Sequence, residues 1–293
     1  MGARFFDSNG RYTGPCIVIV GPTASGKTSA AISLALRLPE VLGGSKDEIS
    51  GILKRGGEVI SADSRAIYKY MDIGTAKPTV SEMKGVPHFG LDLVEPGERF
   101  TAADFKEYAV LKISEIRERG NAPIIAGGTG LYVDALVYDY QFNGESKDLA
   151  HGTASGNRNL SKGGTQGLRN EEIAKDRNSI LPDFKMFGIL WNSEELKKRI
   201  YLREKEMYRD ELFRETEYLI AKYGWGSQAM KSNIYQFADK YLKGELTLDE
   251  AIEQNVYDDY RLAKRQMTWF KRNKSTKWCS YDTVLEEILK IFA

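Results

Sequence analysis

Cys16-Ile17-Val18-Ile19-Val20 is a short, β-branched apolar run with no polar alternation, the pattern of a strand buried on both faces. It breaks at Gly21-Pro22, and helix-forming composition follows from Ser29 to Leu38, so the chain reads strand, loop, helix. A second apolar run, Glu58-Val59-Ile60-Ser61-Ala62, stops at Asp63, and a third, Pro123-Ile124-Ile125-Ala126, stops at Gly127-Gly128-Thr129 ahead of another helix-like stretch. Met186 to Trp191 predicts a further strand, and Glu194 to Tyr223 one or two amphipathic helices, with the rest of the C-terminal third helical. Strands alternating with helices predict an α/β fold built on a parallel sheet. In such sheets ligands gather beyond the carboxyl ends of the strands, so Gly21 to Thr28, Asp63 and Thr129 should converge on one crevice.

From about Gln141 to Asp183 the composition shifts to Gly, Ser, Asn, Thr and Lys, which predicts a polar surface insertion. The expected organisation is a core over 14–140, the insertion over 141–183, and a return strand with C-terminal helices over 184–293 that completes the core. At 293 residues and 42% hydrophobic composition, the chain can bury a sizeable core. No run of eighteen apolar residues occurs and Met1 to Thr13 is polar, so neither a membrane span nor a signal peptide is predicted, and a cytoplasmic protein is expected. Two cysteines and two histidines are too few and too scattered for a disulfide framework or a zinc site. A net charge of +1 excludes a globally basic nucleic-acid binder but not a local patch.

Gly21-Pro22-Thr23-Ala24-Ser25-Gly26-Lys27-Thr28 matches G-x-x-x-x-G-K-[ST] between a predicted strand and helix, the context in which that spacing forms a phosphate loop. Its backbone N–H groups can face a phosphate, Lys27 supplies a positive charge, and the Thr28 hydroxyl can hold Mg²⁺. Kinases, ATPases, GTPases and transferases with a diphosphate leaving group share this loop. From spacing alone, Asp63 reads equally as a general base and as a Mg²⁺ ligand or helix cap. Thr129 alone reads as a helix N-cap.

Beyond the loop come Ser61-Ala62-Asp63-Ser64-Arg65-Ala66-Ile67-Tyr68, Met71-Asp72-Ile73-Gly74-Thr75-Ala76-Lys77-Pro78 and Gly85-Val86-Pro87-His88. Phe100 to Phe105 and Ile125-Ala126-Gly127-Gly128-Thr129-Gly130-Leu131-Tyr132 follow. In this order the segments resemble the tRNA dimethylallyltransferases, or tRNA isopentenyltransferases, over Ile17 to Leu136, near Glu195 to Tyr208 and at Leu262 to Phe270. The resemblance implies transfer of a dimethylallyl group from dimethylallyl diphosphate to N6 of an adenosine beside the anticodon, releasing diphosphate with Mg²⁺ present. It further implies catalytic roles for Asp63 as base, Thr129 and Lys27, with Ser64 and Ile67-Tyr68 favouring the base over the ligand. Asp72 to Pro78 and Val86 to His88 are expected to wall the allyl and adenine pockets.

Arg261 to Lys274 is basic, interleaved with aromatics and free of acids. Helical spacing puts Arg261, Lys264, Arg265 and Arg272 near one face, suited to RNA phosphates, with Leu262, Trp269 and Phe270 inward. RNA contacts are expected from Asp63, Ser64, Arg65, Ala66, Lys264, Arg265 and Gln266, with the tRNA anticodon stem-loop as partner of a monomeric enzyme. The chain departs from the family in three places. The helical insertion that grips the anticodon stem is replaced by a shorter polar stretch, Ile234-Tyr235 stands for a Gly-Tyr pair, and Asp259-Tyr260 stands where the family has Thr-Arg. That family arginine clamps the diphosphate, so Arg261, one residue on, is the expected substitute only if the helix rotates or begins differently. An adenylate dimethylallyltransferase, a small-molecule P-loop kinase using arginines of the insertion, and an RNA-binding protein with a decayed site are the competing readings.

Overall fold

A computed structural model describes residues 2–46, 53–142 and 181–293. The apolar runs become strands β1 (Cys16–Val20), β4 (Gly57–Ser61), β6 (Ala122–Gly127) and β7 (Phe184–Leu190). Short strands β2 (Ser45–Lys46) and β3 (Leu53–Lys54) pair with each other, while β5 (His88–Phe89) and β8 (Lys277–Ser280) form the edges of the main sheet. That sheet has six strands in the order β5-β4-β6-β1-β7-β8, and every neighbouring pair is parallel. The expected α/β fold with a phosphate-loop sheet flanked by helices is therefore present, and β8 adds an edge strand inside the stretch expected to be helical.

Alternate residues of each strand serve opposite faces, which is why uninterrupted apolar runs are needed. Val18, Val20, Ile60, Ile125 and Met186 face α3 (Ala102–Glu118), α4 (Gly130–Val137) and α5 (Ser193–Met207). Ile17, Ile19, Val59, Ile124 and Ile189 face α1 (Lys27–Leu42) and α9 (Tyr281–Leu289). The one acid within the central strands, Glu58, is 2% exposed and fully matched. Arg119 donates to both its oxygens at 3.1 and 2.7 Å, and Asn121 adds a third bond at 2.7 Å. Leaving such a carboxylate unpaired would cost several kcal/mol, on the order of 3–5.

The segment from Glu194 to Tyr223 divides into α5 and α6 (Asp210–Tyr223), because Arg209 takes an extended conformation ahead of α6. Then follow α7 (Asn233–Leu242) and the 23-residue α8 (Leu248–Phe270), opened by a capping box between Thr247 and Glu250. A four-residue helix, α2 (Val80–Met83), precedes β5. Of the insertion expected over 141–183, residues 143–180 lie outside the described residues, along with the arginines of the kinase reading. Where it returns, it is tied to α4 and β1: Leu181 donates to the Val137 carbonyl at 2.9 Å and the Cys16 N–H to the Asp183 carbonyl at 2.7 Å.

Gly127 lies where β6 leaves the sheet against β4, and a Cβ there would sit 2.1 Å from the Ala62 carbonyl oxygen. Gly127→Ala should therefore destabilise the protein by about 1–3 kcal/mol through overpacking against backbone. Urea unfolding followed by circular dichroism checks this, and an unchanged midpoint would refute the close approach.

Candidate active site

The carboxyl ends of β1, β4, β6 and β7 open on one side of the sheet, at the point where the chain switches from the β4 side of β1 to the β7 side. The phosphate loop follows β1, Asp63 follows β4, Gly128-Thr129 follow β6, and Trp191 follows β7. The structure thus brings the loop, Asp63 and Thr129 together.

Three elements hold the loop from outside. Trp191 donates its indole N–H to the Ser25 carbonyl at 3.0 Å. Arg199 Nε donates to the Ala24 carbonyl at 2.8 Å while its guanidinium lies 4.4 Å from the Trp191 ring. Arg203 Nη1 donates to Thr23 Oγ1 at 2.6 Å. From α8, Gln266 accepts from the Thr23 N–H at 2.7 Å and donates to the Gly128 carbonyl at 3.0 Å, stitching the loop to the Gly-Gly-Thr turn. A Cβ on Gly128 would lie 2.5 Å from that Gln266 nitrogen. Ala24, at φ 58°, is held in the left-handed region, a strained placement for a non-glycine residue that these bonds enforce.

Inside the loop, Lys27 Nζ donates to the Pro22 carbonyl at 2.7 Å. Burial pushes the Lys27 ammonium down to about 8; the nearby Asp63 carboxylate opposes that shift and the Arg203 charge adds to it. Thr28, at the first turn of α1, is exposed.

Asp63 and Thr129 are fixed on each other's turns. Asp63 Oδ1 accepts from the Arg65 N–H at 2.8 Å and, more weakly, from Ala66 at 3.4 Å. Its Oδ2 has no hydrogen bond among the described residues. Thr129 occupies the N-cap position of α4 without capping it. Its hydroxyl accepts from the Ser64 N–H at 2.9 Å and donates to Ser64 Oγ at 3.2 Å, and its own N–H reaches the Ala62 carbonyl at 3.1 Å. The cap reading of Thr129 thus gives way to a link across the sheet end.

The structure corrects the placement of Arg261. Its side chain is 59% exposed, 4.0 Å from Asp258 and over the Tyr257 ring, on the face of α8 away from Gln266. At about 100° per residue, its position on α8 leaves the guanidinium in solvent. The arginines that reach the loop are Arg199 and, one turn beyond it on α5, Arg203, which also pairs with Glu204 and Asp259. Periodicity could have flagged these two arginines, since Leu196 and Ile200 mark the inward face between them, but nothing local says that this face meets the loop. Lys264 and Arg265 share the exposed stripe with Arg261 and Arg272, whereas Gln266 turns inward as described. Arg65 is tied to the Gln228 carbonyl at 3.0 Å.

Beside the site, Glu215 of α6 accepts from the N–H groups of Asp72, Ile73 and Gly74 at 2.9, 2.8 and 2.9 Å, and from the Tyr235 hydroxyl at 2.7 Å. Tyr235, the second residue of the altered Ile234-Tyr235 pair, is buried against Gly74. His88 lies in β5 opposite Val59, its Nδ1 2.8 Å from the Val86 carbonyl oxygen, with burial lowering its basicity.

A bound polyanion favours the charged form of Lys27 and raises its titration point above that of the free protein. Affinity for inorganic diphosphate should therefore fall as pH rises above about 8, by up to about tenfold per unit, because a proton must be regained on binding. Calorimetry across this range checks it, and Lys27→Ala should bind weakly with that fall removed.

The chain was compared with known proteins. A family model described as IPP transferase matches residues 66–179 and 158–273. The tRNA dimethylallyltransferase of Acetivibrio thermocellus is 35% identical over 305 aligned positions, covering 91% of both chains, and that of Bacillus cytotoxicus is 32% identical, covering 89% of both. The crystal structure of a tRNA isopentenylpyrophosphate transferase from Staphylococcus epidermidis superimposes with a TM-score of 0.71 at 30% identity, over 94% of this chain and 97% of that one. A eukaryotic dimethylallyltransferase captured acting on tRNA shares the fold at a TM-score of 0.68 and 20% identity. By sequence over nine-tenths of its length and by the architecture of its sheet, this chain belongs to the IPP transferase family of tRNA dimethylallyltransferases.

Proposed function

We propose that the protein transfers the dimethylallyl group of dimethylallyl diphosphate to the exocyclic N6 of an adenosine next to a tRNA anticodon, releasing diphosphate. The observation that carries this reading is the meeting of a phosphate loop with a carboxylate that has one oxygen anchored and the other unengaged. A kinase and a prenyltransferase both need the loop. Membership of the transferase family favours the prenyl donor.

In the reaction the N6 lone pair attacks the allylic carbon, and the bond from that carbon to the diphosphate oxygen breaks with its electron pair leaving on oxygen. Asp63 Oδ2 takes the N6 proton, while the Arg65 and Ala66 N–H groups hold Oδ1 and orient the carboxylate. Thr129 keeps the Ser64 turn, and with it Asp63, in register with the loop. Lys27, released from the Pro22 carbonyl, and the loop N–H groups stabilise the charge that grows on the leaving diphosphate more than they stabilise the bound donor.

The residues present fit a Mg²⁺ ion. Among the described residues no cluster of three or more His, Cys, Asp or Glu side chains could hold a metal by itself. Mg²⁺ is commonly held by one or two protein oxygens with the rest of its shell from phosphates and water, which suits the exposed Thr28 hydroxyl. When bound, the ion would neutralise charge on the diphosphate.

The target base is stacked in RNA and must be extruded to reach Asp63, so the surrounding loop needs phosphate contacts. The exposed residues Arg261, Lys264 and Arg265 of α8, with Arg272 just beyond its end, supply them in this reading. Replacing Lys264 and Arg265 together with alanine should raise the KM for tRNA and reduce the slope of log affinity against log salt by about 1–2. Filter binding at several salt concentrations measures this; an unchanged slope removes the stripe from the interface.

The decisive assay offers labelled dimethylallyl diphosphate and Mg²⁺ with unmodified tRNA in one tube and AMP or ATP in another. Label in tRNA is expected. Label only in free nucleotide would move the protein to adenylate prenylation, and label in neither would overturn the reading. Asp63→Ala should lower turnover about 10²–10⁴-fold while binding diphosphate nearly as well as the parent. Retained turnover would remove Asp63 as the base.

A further inference from the structure

Arg203 is the cation closest to the phosphate loop from outside, and two carboxylates compete for it. Its Nε and Nη2 donate to Glu204 Oε1 at 3.3 and 2.9 Å, Nη2 also reaches Asp259 Oδ2, and Nη1 holds Thr23 Oγ1 at 2.6 Å. Glu204 is fully buried and takes a further bond from Asn255. The side chains of Arg203 and Asp259 remain 27% and 21% exposed, so solvent or a ligand reaches this pair but not Glu204.

One guanidinium facing two carboxylates leaves an excess negative charge beside a loop built for an anion. Asp259 is the one of the two acids with access to water, so it is the one that can take up a proton to relieve that excess. Among the described residues no second cation is bonded to the two carboxylates. Tyr208, just past the end of α5, is held neutral by burial, Asn255 of α8 is uncharged, and Tyr260 turns to Ser193. Asp258 is bound to Asn233 of α7 and faces Arg261, while Lys264 lies over the Tyr260 ring. Asp63 and Lys27 act on Arg203 through space from the loop side, with opposite signs.

We propose that Asp259 is a positioning residue that restrains Arg203 in the unliganded enzyme, and that its protonation frees Arg203 to hold the diphosphate of the prenyl donor. The inference rests on the diphosphate reading of the loop. Burial and the neighbouring Glu204 both raise the Asp259 carboxyl, against the pull of Arg203, which agrees with a group that gains a proton when an anion arrives. Diphosphate binding then takes up a proton at Asp259, so the wild-type protein binds more weakly as pH rises through neutrality, before Lys27 begins to titrate.

The test is calorimetry of inorganic diphosphate binding to wild-type protein and Asp259→Asn, at about pH 6 and about pH 8 in buffers of different ionisation enthalpy. Asn keeps the shape and a hydrogen-bonding oxygen but cannot carry the charge. The variant should bind about fivefold tighter than wild type near pH 8 and about equally near pH 6, with fewer protons taken up. Titration of diphosphate itself and of Lys27 is common to both proteins and cancels in the comparison. Equal affinities at both pH values with equal proton uptake, or a variant weaker by the same factor at both, would overturn the proposal. If the variant fails to fold, proton uptake by the wild type is compared with that of Lys27→Ala near neutral pH. Uptake that survives the loss of Lys27 and exceeds that of diphosphate itself supports Asp259, and its absence refutes it. A wild-type protein that does not bind diphosphate at all fails the reading of the loop instead.

Discussion

Gln266 commits both ends of one amide to backbone from two different strand ends, the Thr23 N–H after β1 and the Gly128 carbonyl after β6. A parallel sheet delivers its loops to one edge but leaves them unconnected there, because the ladder bonds end with the strands. The α8 side chain supplies the missing connection. It works only because Gly127 and Gly128 let the turn lie against Ala62 and against the amide itself, where a Cβ would sit 2.1 and 2.5 Å from its neighbours. Thr129, drawn along with that turn, then fixes Ser64 and so the Asp63 carboxylate. The placement of the Asp63 carboxylate relative to the loop is in this sense a property of the sheet end and one glutamine.

Charge is arranged around that frame with little surplus of cations. Lys27 is partly desolvated and folded onto its own loop, and Arg203 is divided between Thr23, Glu204 and Asp259. Arg199, stacked on Trp191 and bonded to Ala24, serves the loop's shape. Such a site holds its cations against internal partners until an anion takes their place, which favours a polyphosphate over a single carboxylate because only the former repays both exchanges. The replacement of the family's Thr-Arg pair by Asp259-Tyr260 shifts this balance toward negative charge.

Anchoring of the Asp72–Pro78 segment follows the same logic of backbone donors gathered on one carboxylate. Three consecutive N–H groups converge on Glu215, which lies more than 140 residues away in α6. Neither partner carries a local signature: successive amides form a nest only in the folded turn, and a single glutamate on an amphipathic helix reads as solvated surface. Tyr235, by contrast, was visible as half of a family pair, yet its role under Gly74 is visible only in the packing.

The four central strands, the phosphate loop, Asp63 and the Gly-Gly-Thr turn were all legible in the amino-acid sequence, because each is local. A buried parallel strand needs an unbroken apolar run, and a phosphate loop needs glycines at fixed spacing next to its lysine. The order and spacing of those segments sufficed for the family as well. What only the tertiary structure decided is which distant side chains meet: Arg199 and Arg203 on the loop while Arg261 faces solvent, Gln266 inward from an exposed basic stripe, Glu215 on a turn 140 residues earlier, and β8 as the sheet edge. A helix shows its periodicity in the sequence but not the angle at which it docks, and a 100° rotation per residue is enough to send Arg261 to solvent while Asp259 meets Arg203.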